Sequence, residues 1–474
     1  MDIPVNINIE IVETGIQVSW DEGDSPGDYY EIWSKPQSGE YSCIGLIVAG
    51  IGSFIETMSP IVAKSYKIRA ILSGSKSAFR HGFNEYADYC IRPIISSSGE
   101  ILHVDYIRNN YMFGSKSGYV WRSSNSGLTI EECIVADGRV ASSYIFSNGN
   151  IYFGTHNNKL WLWRPKESSP VEKHPYNQDG TRYYLHNPVD ETYPGIYYKQ
   201  LMWEEPVYIN GKEILMWGSY TLYSSLYYMS GVNPTNVYFS SDNGETIKVA
   251  YKFGVGHYDD GTRLGRTSPP GNPVGDPSNS LTCSHVHFCK YDPYSGYWYV
   301  SSGECASHLL RGTYNEVTDS FTWENVATNA GKFYRCCGMI FTQDYIYMLS
   351  DGVHCGAEWA GVWRCDRGDD LGVYTNFTRV FDLDENNWNL APSIGHGNTT
   401  IAGHINDNVG MTFTKNQGQT WKTIAAVENI YMGGKVKKLM CMCSPNSDNE
   451  FLLTPYDFLS EWSYYQKSYL LKLK

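Results

Sequence analysis

The densest group of reactive side chains in the sequence is Cys283-Ser284-His285-Val286-His287-Phe288-Cys289. Imidazoles and thiols are side chains that titrate near neutrality and ligate transition metals. The segment reads as a strand, and a regular strand would put Cys283, His285, His287 and Cys289 on one face. His285 and His287 would then stand about 7 Å apart along the strand. That reach allows one metal ion between two imidazoles, or two groups flanking a substrate. Further on lie Glu304 and Asp351, so His285, His287, Glu304 and Asp351 form the candidate pocket, with His285 and His287 the candidate metal ligands. The competing reading is that both histidines hydrogen-bond within the fold and bind nothing. No residue set is assigned a catalytic role. No resident cofactor is expected, because the chain has no Gly-x-x-x-x-Gly-Lys-Ser/Thr loop, no Gly-x-Ser-x-Gly elbow and no pair of Cys-x-x-Cys motifs.

Bringing such distant residues together needs a repetitive scaffold, and one octet supplies its signature. Ser240-Ser241-Asp242-Asn243-Gly244-Glu245-Thr246-Ile247 has looser copies at Ser123–Ile130 and Thr414–Trp421. Each has a hydroxyl, then Asp or Asn, Gly, Thr and a large apolar residue at fixed offsets. This predicts a hairpin turn: Asp242, Asn125 and Asn416 can accept backbone N–H groups, while Gly244, Gly127 and Gly418 tolerate positive φ. The three glycines are 117 and 174 residues apart, near two and three times a common period of about 58. One repeat without the octet is therefore expected in the first gap and two in the second. Aromatic strand pairs at Ser142–Trp163, from His285 and from Met339 fit those places, and Lys437–Cys443, Glu450–Thr454 and Tyr469–Lys474 can form a last repeat.

The octet resembles the Asp-box of sialidase-like (BNR-repeat) β-propellers. The resemblance implies an all-β ring of four-stranded blades whose innermost strands line a channel. Six or seven blades fit residues 100–474, and the spacing favours seven. Before them, residues 1–93 carry about seven short alternating strand runs. Trp20, Tyr30-x-Ile32-Trp33 and Tyr66–Ala70 resemble strands B, C and F of an immunoglobulin-like sandwich. With no cysteine pair at the B and F positions, the similarity is to fibronectin type III domains. Residues 94–99 read as a linker. Two long polar segments, Pro165–Gly195 and Asp259–Leu281, read as rim loops or decorations.

The Asp-box resemblance does not extend to sialidase chemistry. Glycoside hydrolysis needs two acids, or a tyrosine activated by a glutamate with a separate acid. A sialic carboxylate needs arginines. The Arg-Ile-Pro element of that family is missing from the first repeat, although Arg108, Arg263, Arg266, Arg311, Arg335 and Arg364 are available. His-x-His is similar to the metal-binding histidines of oligogalacturonate lyases.

Composition narrows the remaining classes. Aromatics make up 15% of the 474 residues, including 39 Tyr and 14 Trp, which suits an all-β protein that stacks on sugar rings or packs between blades. A formal net charge of −13 argues against a nucleic-acid partner. No apolar window long enough to span a bilayer occurs, so membrane insertion is not expected. The 12 cysteines include Cys336-Cys337 and Cys441-x-Cys443 rather than a spaced framework, which favours reduced thiols. Met1–Asn6 has no basic or apolar leader region, so folding in a cytoplasm is expected.

A fibronectin-like module joined to an Asp-box propeller looks like bacteriophage tail-associated proteins. The expected function is a virion structural or host-adhesion protein that binds a cell-surface glycan or another tail component, with several copies in one assembly. The alternatives are a sialidase-like hydrolase or metal-assisted polysaccharide lyase, and a secreted or surface carbohydrate-binding protein of bacteria.

Overall fold

The computed structural model describes residues 5–12, 15–21, 29–36, 42–48, 53–57, 64–72, 75–76, 80–83, 89–94, 102–116, 119–134, 140–155, 159–176, 180 and 198–201. It also describes 206–221, 236–254, 276, 278–281, 283, 285–303, 307–328, 333–351, 358–382, 389–396, 399–405, 411–424, 439–441, 450–455 and 468–473. Nearly all regular structure here is strand. The two long segments singled out in the sequence, and Cys443 and Glu304, fall largely or wholly outside these residues.

The chain is a β-propeller preceded by two small antiparallel sheets. Those two hold three and five strands between Val5 and Phe83. After them, among the described residues, come seven antiparallel sheets in succession, spanning 106–134, 140–173, 198–252, 285–328, 336–382, 389–424 and 439–473. In sheets one, two, four, five and six the strands pair in chain order. In the third sheet, Pro175–Tyr176 adds a parallel strand against Ile247–Lys252, which covers an otherwise open edge. From the first sheet to the seventh, the inner strands of neighbouring sheets pack side by side, except that the fourth sheet's inner strand meets Lys212–Thr221, the second strand of the third.

The final sheet closes the ring. Its fourth strand is Tyr89–Pro93, which pairs with Tyr469–Leu473. Sequence alone places Tyr89–Pro93 in the N-terminal sandwich; its hydrogen bonds put it beside the C-terminal strand. Ser468 reinforces the seam. Its hydroxyl accepts the Val104 N–H at 2.8 Å and donates to the Val104 carbonyl at 3.0 Å. Leu452 and Leu470 of the last sheet join Tyr106, Phe113 and Tyr144 in one buried cluster.

The core lies between sheets rather than inside any one of them. Strand Asn236–Ser240 is buried along its whole length, because both faces meet neighbouring sheets. Val237 and Phe239 pack toward the fourth sheet, with Trp298, Leu310 and Phe321. Tyr238 packs toward the second.

All three octets form the same hydrogen-bonded turn between the third and fourth strands of their sheets. In the central copy the Ser240 hydroxyl accepts the Gly244 N–H at 3.0 Å and donates to Asp242 Oδ1 at 3.0 Å. Asp242 Oδ1 also accepts the Thr246 N–H at 2.8 Å. Ser123 with Asn125, and Thr414 with Asn416, repeat these bonds. Gly127, Gly244 and Gly418 have φ of 86°, 83° and 81°. At Gly244 the backbone also presses on the preceding sheet: a Cβ there would sit 2.9 Å from Phe146 Cε2.

Candidate functional site

The inner strand of the fourth sheet, His285–Tyr291, is not regular. His285 pairs with Gly303 and Val286 with Ser302, but Ser301 then pairs with Phe288, leaving His287 as an extra residue in a β-bulge. The bulge corrects the expectation that Cys283, His285, His287 and Cys289 share a face. Cys283, Val286 and Cys289 pack toward the third sheet. His287 and Phe288 instead both face the fifth, since consecutive residues in a bulge turn to one side.

The inner strand of the fifth sheet, Cys336–Phe341, repeats the device. Its register shifts between Cys336 and Gly338, which makes Cys337 the extra residue. Just past the partner strand, the Asp351 N–H bonds the Arg335 carbonyl at 2.9 Å and fixes the carboxylate at the mouth of the bulge. The two bulges therefore meet across the sheet boundary. The ligating atoms of His287, Cys337 and Asp351 all lie within 4.8 Å of one another.

His287 Nδ1 lies 2.9 Å from the Cys336 carbonyl oxygen. A carbonyl can only accept, so Nδ1 carries the proton and, in the neutral ring, Nε2 presents its lone pair to the cluster. His285 Nε2 is 2.9 Å from that atom. Asp351 Oδ2 is 3.9 Å from it and 2.6 Å from Arg335 Nε. The Cys337 thiol donates to Asp351 Oδ1 at 3.2 Å. His285, His287 and Asp351 are buried, which closes the cluster to a sugar ring. Neighbouring Cys336 is a different kind of thiol: full burial pushes it up to about 12, and it stays protonated.

Of the four pocket residues read from sequence, three converge: His285, His287 and Asp351. Glu304 lies outside the described residues. Cys337 and Arg335 complete the cluster. The only signal that could have found them is the Arg335-Cys336-Cys337 string, whose role depends on a bulge that sequence does not announce.

A second polar cluster sits at the opposite end of the inner strands, where their hairpin turns lie. Arg108 of the first sheet donates to Glu213 of the third and to the Tyr208 hydroxyl, and bonds the Ile145 carbonyl of the second at 2.7 Å. Glu213 also accepts the Tyr144 hydroxyl at 2.6 Å and the Ser147 N–H at 2.9 Å. A tyrosine, a glutamate and an arginine have the composition of an activated-tyrosine site. Tyr144, however, is fully buried, and desolvation, with Tyr106 and the Glu213 carboxylate beside it, holds its hydroxyl well above the usual range. A nucleophilic phenolate needs the opposite shift. Burial also pushes Glu213 up, but the Ser147, Tyr144 and Arg108 hydrogen bonds more than offset it and keep the carboxylate below its ordinary range. The trio is thus a charged tie joining three sheets.

Asp292 and Arg367 repeat this arrangement between the fourth and fifth sheets. Their guanidinium–carboxylate contacts measure 2.5 and 3.1 Å, and the Arg367 guanidinium carbon stands 5.0 Å from the Tyr294 ring centroid. Tyr208 and Tyr294 are 50% and 51% exposed, so each arginine holds an outward-facing tyrosine from behind.

No family model and no curated protein matches this chain. Several solved structures are similar to it in shape. One described as YCF48 bound to D1 peptide is 12% identical, with 82% of this chain and 97% of that one covered at a TM-score of 0.42. The Dos1 propeller is 8% identical, with 86% and 88% covered at 0.40. The major Malassezia sympodialis allergen Mala s 1 is 10% identical, with 71% and 92% covered at 0.37.

Proposed function

We propose that this chain is a non-catalytic binding protein: a seven-bladed propeller behind a fibronectin type III-like sandwich, acting as a virion tail-associated host-adhesion component that binds a cell-surface glycan. The seven successive sheets support the blade count. The binding role rests on Tyr208 and Tyr294, two half-exposed tyrosines at the hairpin end of the ring. Each is braced by an arginine anchored on a buried carboxylate, Arg108 on Glu213 and Arg367 on Asp292. An aromatic ring held in place before binding loses little entropy when it stacks on a sugar face. Both acids are committed to arginine pairing, which suits them to bracing rather than to acid–base work on a glycosidic bond.

The test is a glycan array run beside a polysaccharide-cleavage assay on the full chain, Tyr208→Ala and Tyr294→Ala. Retention of a glycan class without cleavage is expected, with affinity reduced about tenfold or more in each variant, on the scale of one lost stacking contact. Binding that neither substitution weakens, or cleavage of a bound glycan, overturns the proposal. So does retention by an isolated tail protein with no glycan bound.

A further inference from the structure

We propose that His287, Cys337 and Asp351, with His285 as the fourth donor, form a binding site for one divalent transition-metal ion of the zinc class. The site joins the fourth and fifth sheets. Its nitrogen, sulfur and oxygen atoms are a donor set that zinc accepts, and four protein donors make a closed, structural shell.

Three features single this cluster out from an ordinary buried network. First, two of the donors, His287 and Cys337, are the extra residues of bulges in adjacent inner strands, and both turn toward the same point. Bulges re-aim side chains, and a regular pair of strands would not bring His287 and Cys337 together. Second, the backbone carbonyl of Cys336 takes the Nδ1 proton of His287, leaving Nε2 as the atom facing the cluster. A metal-bound histidine is oriented in this way by its other nitrogen. Third, Arg335 holds Asp351 through Oδ2, which leaves Oδ1, the atom that now meets the Cys337 thiol, as the ligand. Zinc bonds of about 2.0–2.3 Å in a tetrahedral shell require the two imidazole nitrogens to move slightly apart and the thiol and carboxylate to draw in.

Without metal, the Cys337 thiol proton lies toward Asp351 and the His285 Nε2 proton toward His287. On binding, the thiol gives its proton to solvent and becomes thiolate. His285 loses the Nε2 proton and regains one on Nδ1, so it stays neutral. One proton is released for each ion bound.

The experiment uses the full chain, stripped with chelator and titrated with Co²⁺, an open-shell probe of zinc sites. One equivalent should bind, with a thiolate-to-metal charge-transfer band in the near ultraviolet and one proton released. Cys337→Ser should abolish that band and weaken binding at least about tenfold, while Cys133→Ser should change neither. Zinc should displace the cobalt and raise the unfolding temperature. Should His287→Ala fail to fold, Cys337→Ser with an unchanged near-ultraviolet circular dichroism spectrum carries the test. Absence of a stoichiometric charge-transfer band in the folded wild-type chain overturns the proposal. So does a band that survives in Cys337→Ser.

Discussion

The Nε2 atoms of His285 and His287 stand 2.9 Å apart in a strand that, if regular, would hold the two residues about 7 Å apart. The bulge at His287 turns this residue toward the fifth sheet, where the two rings meet. Gly303, paired with His285, makes room for this. A Cβ at Gly303 would run into the His287 imidazole.

Gly303→Ala should therefore crowd His287 out of the cluster. A cost of about 1–3 kcal/mol is expected, the usual range for overpacking a filled interior. Urea unfolding of the full chain measures it. A stability equal to wild type, with the imidazole NMR signals unshifted, would show that the ring is not confined as described.

Gly244 and Gly211 separate two effects that are usually mixed. Both have positive φ, 83° and 80°, but Gly244 has Phe146 and Leu162 in the way, whereas among the described residues nothing lies within 4 Å of a Cβ at Gly211. Gly211→Ala should cost only the left-handed backbone penalty, about 1 kcal/mol. Gly244→Ala should cost a further ~1–3 kcal/mol from collision with the preceding sheet. Equal melting temperatures for the two variants would refute the packing role given to the octet glycine.

The Ser468 hydroxyl holds the seam of the ring by accepting from the Val104 N–H and donating to the Val104 carbonyl. Ser468→Ala removes both of these bonds from a buried site, at a cost of about 1–3 kcal/mol. Deleting residues 468–474 also removes the partner of Tyr89–Pro93. That truncation should abolish cooperative unfolding, not merely shift its midpoint. Thermal melts of the two variants distinguish the outcomes, and a truncated chain that still melts in one sharp transition would place the seam elsewhere.

Glu213 predicts an acid-sensitive tie. Its folded pKa lies below the unfolded value of about 4.3, so its stabilising contribution is complete above that value and is lost as pH falls through the folded pKa. Glu213→Gln should lose on the order of 3 kcal/mol at neutral pH, because Arg108 is left facing an amide. It should also show a shallower fall in stability than wild type as pH drops from about 5. Urea midpoints across that range give both numbers. Parallel pH profiles would mean that Glu213 is not the titrating group.

The sequence by itself determined the local grammar of this fold. Hydroxyl, carboxyl or amide, and glycine at fixed offsets can satisfy a tight turn in few ways, so residue types and spacing alone make all three octets legible as turns. Strands buried on both faces announce themselves as apolar runs, as Val237-Tyr238-Phe239 does within Asn236–Ser240. The spacing of the octets carries the number of sheets between them, one in the first gap and two in the second, but not an even period, since the sheets there start at Val140, His285 and Cys336. Tertiary structure decided which side chains meet. A bulge adds one residue without changing composition, so alternation gives the wrong face for Cys289 and no hint that Cys337 reaches His287. Ring closure through Tyr89–Pro93 and the Arg108–Glu213 tie link residues more than a hundred positions apart. Such pairings follow from the order in which sheets pack around an axis, and a linear pattern holds no record of that order until the ring is closed.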